Sequence, residues 1–247
     1  MSAYAYDVII IGGGVNALTA ATTLAKAKKR VLVVEQGERA GGSLVTEELI
    51  PGFRFNTVTD DAGWLSSGVQ RELKLAQHGL ALLEHEQALV APLSDGRALT
   101  IWRDLQRAYT SIRTQSPRDS HQWEPFAQRM GKLAGFLATL YAAPPPRPIG
   151  GGARDLFDVA MLGRRARALG KADMIELLRV LPMSVGELLE DWFESDALKA
   201  TLGAAGVFGI KQGVRSAGTS FVLLHHHVGQ PAGGFRMRQR YRGGVGS

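Results

Sequence analysis

The stretch Tyr6-Asp7-Val8-Ile9-Ile10-Ile11-Gly12-Gly13-Gly14-Val15-Asn16-Ala17 constrains this chain more than any other. An apolar run rich in β-branched residues drives into three glycines, and an alanine-rich segment follows to about Arg30. A second such run, Val31-Leu32-Val33-Val34, ends on Glu35. The order predicts strand, tight turn, helix, strand: a βαβ unit carrying a dinucleotide fingerprint. Gly12 allows the sharp turn off the strand, and Gly14 lets backbone approach a pyrophosphate without a Cβ in the way. Ala17, in the third glycine position, is small enough for close helix–sheet packing. The first amides of the helix, around Val15, Asn16 and Ala17, then face the phosphates, where the helix dipole favours negative charge.

Glu35 stands eighteen residues past Ala17, at the end of the second strand. There its carboxylate is placed to accept from a ribose hydroxyl and to repel a 2′-phosphate. Glycine-rich turns alone are weak signals, but here strand, helix and acid all occur at the required offsets. The unit by itself does not separate FAD from NAD. The residues that follow, Gln36 and then Arg39-Ala40-Gly41-Gly42-Ser43-Leu44-Val45-Thr46, add a second glycine loop with an arginine beside it. Glycines permit close backbone approach, and a guanidinium can pair with phosphate oxygens as a fork.

The pattern Glu35, Arg39-x-Gly41-Gly42-x-x-x-Thr46 and Pro51-Gly52-Phe53-Arg54-Phe55 resembles the opening of FAD-dependent amine oxidases and phytoene desaturases. It more closely resembles the phytoene-dehydrogenase-like flavoproteins that include the pyridine nucleotide-disulfide oxidoreductase domain-containing proteins. The resemblance implies that Gly41, Gly42 and Ser43 pass over the FAD pyrophosphate and ribityl chain, with Arg39 helping to neutralise the phosphates. Many relatives carry an arginine at the position of Ser43 and an aspartate at that of Asn56. The implied activity is hydride transfer from an apolar or unsaturated small molecule to flavin N5, with the protein supplying binding, orientation and electrostatics.

Composition narrows the chemistry. The 247 residues contain no cysteine, which removes disulfides, iron–sulfur clusters and a redox-active C-x-x-C. No apolar run approaches the length of a membrane span, so the expectation is a cytoplasmic protein, with peripheral membrane contact left open. The formal charge of +6 comes largely from Arg164-Arg165-Ala166-Arg167 and from the run Arg236 to Arg242. The first reads as a solvated helix face, and no nucleic-acid module accompanies either, so no specific nucleic-acid partner is expected.

Further along, Leu89–Leu93 and Ala98–Trp102 flank Asp95-Gly96, a β-hairpin signal in which Pro92 marks an edge or a bulge. Asp104 is placed to cap the segment to Thr114. Trp123, Phe126, Met130, Leu133, Leu137 and Leu140 repeat at three and four residues, one apolar stripe on a helix starting near Asp119 or Ser120. A Pro/Gly-rich connector, 144–152, precedes helical segments near 155–169 and 172–181. Ser184-x-x-Glu187 is a capping box opening 185–193, and Asp196 is placed to cap a helix through Leu202. Asp60-Asp61 reads as a turn or cap. Among His225-His226-His227, adjacent rings point to different faces and cannot share one ion, so no metal site is expected. His225 and His226 are carried only as weak catalytic candidates.

The expected fold class is therefore α/β. It comprises a Rossmann-like FAD-binding βαβ unit with a parallel sheet, and an inserted, mainly helical substrate domain. The expected boundaries are 1–116 for the dinucleotide-binding portion with its hairpin, 117–231 for the helical domain and 232–247 for the start of a return segment. In the resembling flavoproteins a segment like Gly243-Gly244-Val245-Gly246 opens a helix and much more chain follows. The resemblance thus implies an N-terminal half, with a complementary C-terminal half or a homo-oligomer as partner. One alternative is a non-catalytic FAD-binding fragment or partner subunit. Another is an NAD-dependent dehydrogenase, against which the Arg39–Thr46 pattern argues, as does the lack of a Tyr-x-x-x-Lys pair in this chain.

Overall fold

The computed structural model describes residues 5–59, 64–83, 85–147, 149–229 and 240–246. Asp60, Asp61 and the arginines at 236 and 238 lie outside the described residues. The chain divides into two units, one formed by residues 1–84 with 238–247 and the other by residues 85–237.

In the first unit, β1 (Val8–Ile11) runs into α1 (Val15–Lys26) and returns as β2 (Val31–Val34). β1 and β2 pair in parallel with Val8 opposite Val31 and Ile11 opposite Val34. The strand ends are pinned by Asp7, whose carboxylate accepts from the Arg30 backbone and guanidinium. That arginine holds the Asp7 carboxyl down at about 2. β3 (Thr46–Ile50) and β4 (Phe53–Asn56) make an antiparallel hairpin turned at Gly52. A short helix α2 (Ser67–Glu72) follows, and then a 3-10 turn, Leu75–His78. The two-residue strand β5 (Leu82–Leu83) pairs with a late strand from residues 240–241.

The second unit opens with the hairpin β6 (Gln87–Pro92) and β7 (Ala98–Trp102), closed by a turn in which Asp95 accepts from the Arg97 amide. Its register is irregular between Gln87 and Leu89. Helices α3 (Leu105–Arg113), α4 (Pro117–Tyr141), α5 (Ala153–Ala168), α6 (Lys171–Val180), α7 (Val185–Trp192), α8 (Asp196–Gly206) and α9 (Thr219–His225) follow, and β8 (Arg240–Tyr241) returns to the first unit. Leu99 and Ile101 of β7 are buried together with Ala108 and Ile112 of α3. The hairpin thus belongs to the helical unit, whereas the sequence pattern assigns it to the dinucleotide-binding portion. Its apolar face needs a helix to cover it, and α3 supplies one directly downstream.

The expected stripe is the centre of this unit: Trp123, Phe126, Met130 and Leu133 are fully buried, and Leu137 is buried beside them. Phe126 packs edge-on against Phe193 and Trp192. Ser116 caps α4 by accepting from the Asp119 amide. Asp119 itself is fully buried and accepts from the amides of Glu194 and Ser195, tying α4 to the start of α8. The Ser184–Glu187 capping box forms as expected. For α8 the cap is Ser195, not Asp196: the Ser195 hydroxyl oxygen accepts from the Leu198 amide, and Asp196 already stands in the first turn. Among the described residues no helix is long and apolar enough to cross a membrane.

Candidate dinucleotide-binding site

Two glycine loops of the first unit meet beside the start of α1. Gly12 turns off β1 at a φ of 93°, a conformation open to glycine, and its amide donates to the Val34 carbonyl at 2.7 Å. Gly14 caps α1 with extended backbone and offers no side chain to the helix amides. The first turn holds no acidic residue either, so the N–H groups around Val15, Asn16 and Ala17 form a positive end that no side chain of the helix caps. Val15 and Asn16 are exposed there, and Ala17 is half-buried.

The second loop is stitched to the first. The Gly41 amide donates to the Gly13 carbonyl at 2.8 Å, and Gly14 and Gly41 form a parallel bridge. At Gly42, φ is 62° and an added Cβ would lie 3.1 Å from the Gly14 Cα. An added Cβ at Gly14 meets nothing nearer than that loop, at 4.0 Å. The face that Gly14 presents is therefore open, as a pyrophosphate cradle requires. Gln36 and Ser43 are exposed on the flanking turns.

Glu35 does more than its place in the sequence suggests. One carboxylate oxygen accepts from the Gly13 amide at 2.5 Å and the other from the Gly37 amide at 2.8 Å. These amides, Gly37 first, hold the carboxyl below the ordinary carboxylate range. The acid is thus locked against the phosphate loop in its charged form, with further lone pairs free to accept from a ribose. Gly13 is the residue that sequence reasoning passes over. It is buried, and an added Cβ would meet the Glu35 carboxylate at 2.9 Å and the Ala40 Cβ at 3.1 Å. Its place between the two motif glycines is the signal that could have found it.

Arg39 is exposed, and one guanidinium nitrogen donates to the Thr46 carbonyl at 3.3 Å, which bends it along the second loop. Thr46 donates to the Asn56 side-chain oxygen, which also accepts from the Val245 amide, and the Gly246 amide donates to the Thr46 hydroxyl. Asn56 thus accepts through one oxygen, as an aspartate would, and anchors residues 245–246 to the β3–β4 hairpin.

The two histidine candidates lie in the other unit, at the end of α9. His225 approaches the Tyr141 hydroxyl at 3.2 Å, and the buried His226 packs against Phe208. His227 is fully enclosed. Its Nδ1 donates to the Leu223 carbonyl at 3.0 Å, and burial pulls its pKa down to about 4. His226 and His227 are buried as packed core histidines are, whereas His225 is only half-buried beside Tyr141.

The geometry agrees with what the chain is similar to. Residues 10–68 match the family model of the NAD(P)-binding Rossmann-like domain. A rat pyridine nucleotide-disulfide oxidoreductase domain-containing protein 2 is 30% identical over 256 aligned residues, covering 98% of this chain and 44% of that protein. One polypeptide of the limonene dehydrogenase of Castellaniella defragrans is 39% identical over 118 residues, covering 47% of this chain and 21% of its own. The chain therefore spans less than half the length of these relatives. A solved structure of putrescine oxidase, from a redesign of its cofactor binding, superposes with a TM-score of 0.52 at 19% identity. It covers 97% of this chain and 46% of the oxidase, and it shows a shared fold.

Proposed function

We propose that the chain serves an FAD-dependent oxidoreductase of the amine-oxidase-like flavoprotein superfamily. The observation that carries this reading is the pair of stitched glycine loops beside an uncapped helix end, with Glu35 locked against them. The pyrophosphate lies over Gly12, Gly14, Gly41 and Gly42, within reach of the Val15, Asn16 and Ala17 amides and of Arg39. Glu35 holds the ribose and disfavours a 2′-phosphate. Bound FAD supplies a two-electron acceptor at flavin N5. The chain's own contribution is to orient the dinucleotide and to fix its charge environment; no side-chain base is assigned.

The relative named for limonene supports an apolar, unsaturated small molecule as substrate. The predominantly helical unit, 85–237, is the candidate substrate-binding part, and the partner is a complementary polypeptide half or a second copy. The test of the cofactor is Gly14→Val. Its backbone is ordinary for any residue and its added Cβ has room in the fold, so the chain should unfold like the parent. The new side chain would occupy the pyrophosphate position, and FAD binding in a flavin titration should be lost. Undiminished FAD affinity in this variant would remove the site.

A further inference from the structure

The first unit contains a cavity that the dinucleotide reading does not use. It has a volume of about 560 Å³ and is lined by Thr46, Arg54, Phe55, Asn56, Leu83, Arg240, Tyr241, Gly243 and Gly244. That volume falls within the roughly 300–1,000 Å³ of small-molecule sites. Its polar lining divides into two kinds. Thr46 and Asn56 are engaged with each other and with the amides of Val245 and Gly246. Arg54 and Arg240 make no ion pair with any described residue. Glu48 stands opposite Arg54 across the β3–β4 hairpin, but it accepts from the Gly52 amide and forms no ion pair with the arginine. Neither Glu47 nor Glu48 lines the cavity. The apolar lining is Phe55, Leu83 and the Tyr241 ring.

We infer that this cavity binds a small molecule with an apolar, planar body and an oxyanion at one end. Two guanidiniums lining one cavity, with no carboxylate among its described lining residues, select an anion, which each can meet with paired N–H donors. The Phe55 and Tyr241 rings give a flat, unsaturated body the faces and edges it packs against best. Binding of such a ligand rests on the cavity alone.

The test uses the whole chain and titrates trans-cinnamate, phenyl phosphate and the uncharged cinnamyl alcohol, followed by NMR shifts of the protein. The expected result is binding of at least one anion, with the better of the two identifying carboxylate or phosphate, and much weaker binding of the alcohol. Arg54→Gln and Arg240→Gln, both at exposed positions, should each weaken the anion by about tenfold or more. FAD affinity should stay unchanged in both, while Gly14→Val removes FAD and spares the anion. Equal binding of the alcohol, or no binding of either anion, would overturn the inference. An equal loss of FAD affinity in the arginine variants would also overturn it, by assigning the cavity to the dinucleotide and leaving the flavoprotein reading intact.

Discussion

The two units are built from similar sequence signals but solve burial differently. In the helical unit the apolar stripe of α4 is buried from Trp123 to Leu137, closed over by α3, α6, α7 and α9, and only Leu140 at its end is exposed. In the dinucleotide unit no residue of α1 is buried, and Ile9 and Ile11 of β1 are 62% and 88% exposed. Parallel strands are ordinarily covered on both faces. Here α1 covers only one side of a two-stranded sheet, so alternate residues of β1 face outward. Hydrophobic patterning thus reports that a face seeks cover, not that this stretch of chain supplies it. The helical unit stands on packing, whereas the dinucleotide unit stands on hydrogen bonds between its loops.

The largest expected effect tests that contrast directly. Phe126→Ala should destabilise the helical unit by about 3–5 kcal/mol through lost contacts and a cavity. Ile11→Ser should change stability by no more than about 0.5 kcal/mol, as at other exposed positions. Urea unfolding of both variants is the measurement, and similar losses would break the comparison.

Acid should next separate the units. The enclosed His227 is neutral when folded, with its pKa pulled from 6.5 to about 4 chiefly by burial and further by the neighbouring His226. The unfolded chain binds the extra proton first. Stability from this group is therefore complete above about pH 6.5 and is lost progressively as pH falls through about 4. The full loss is roughly 3 kcal/mol. Unfolding midpoints between pH 7 and 4 should show this slope, and His227→Phe should flatten it. A wild-type slope retained in the variant would move the effect elsewhere.

The smallest effect concerns the hydrogen-bonded loops. Glu35→Gln should weaken FAD on the order of tenfold, since a charge-assisted acceptor becomes a neutral one. Because the Glu35 carboxyl is held below its ordinary range, its support of the loop is complete above that range and is lost only as pH falls through the lowered value. A flavin titration in which Glu35→Gln matches the parent at neutral pH would remove its role.

Local rules made the βαβ unit, the Asp95-Gly96 turn, the α4 stripe and the Ser184 capping box legible in the chain. Each depends on residues a few positions apart, where backbone geometry and side-chain reach settle the outcome. The same holds for the acid at the end of β2, because strand and helix lengths fix its distance from the glycines. Tertiary structure alone decided the rest. It turned Glu35 onto the Gly13 and Gly37 amides and drew the 41–42 loop onto Gly14. It spent Asp119 on amides some 75 residues away, gave the hairpin to the helical unit, and brought residues 240–246 back to β5 and Thr46. None of these pairings leaves a periodic trace in sequence. Each joins segments far apart along the chain, and which donor meets which acceptor there depends on how the intervening elements pack.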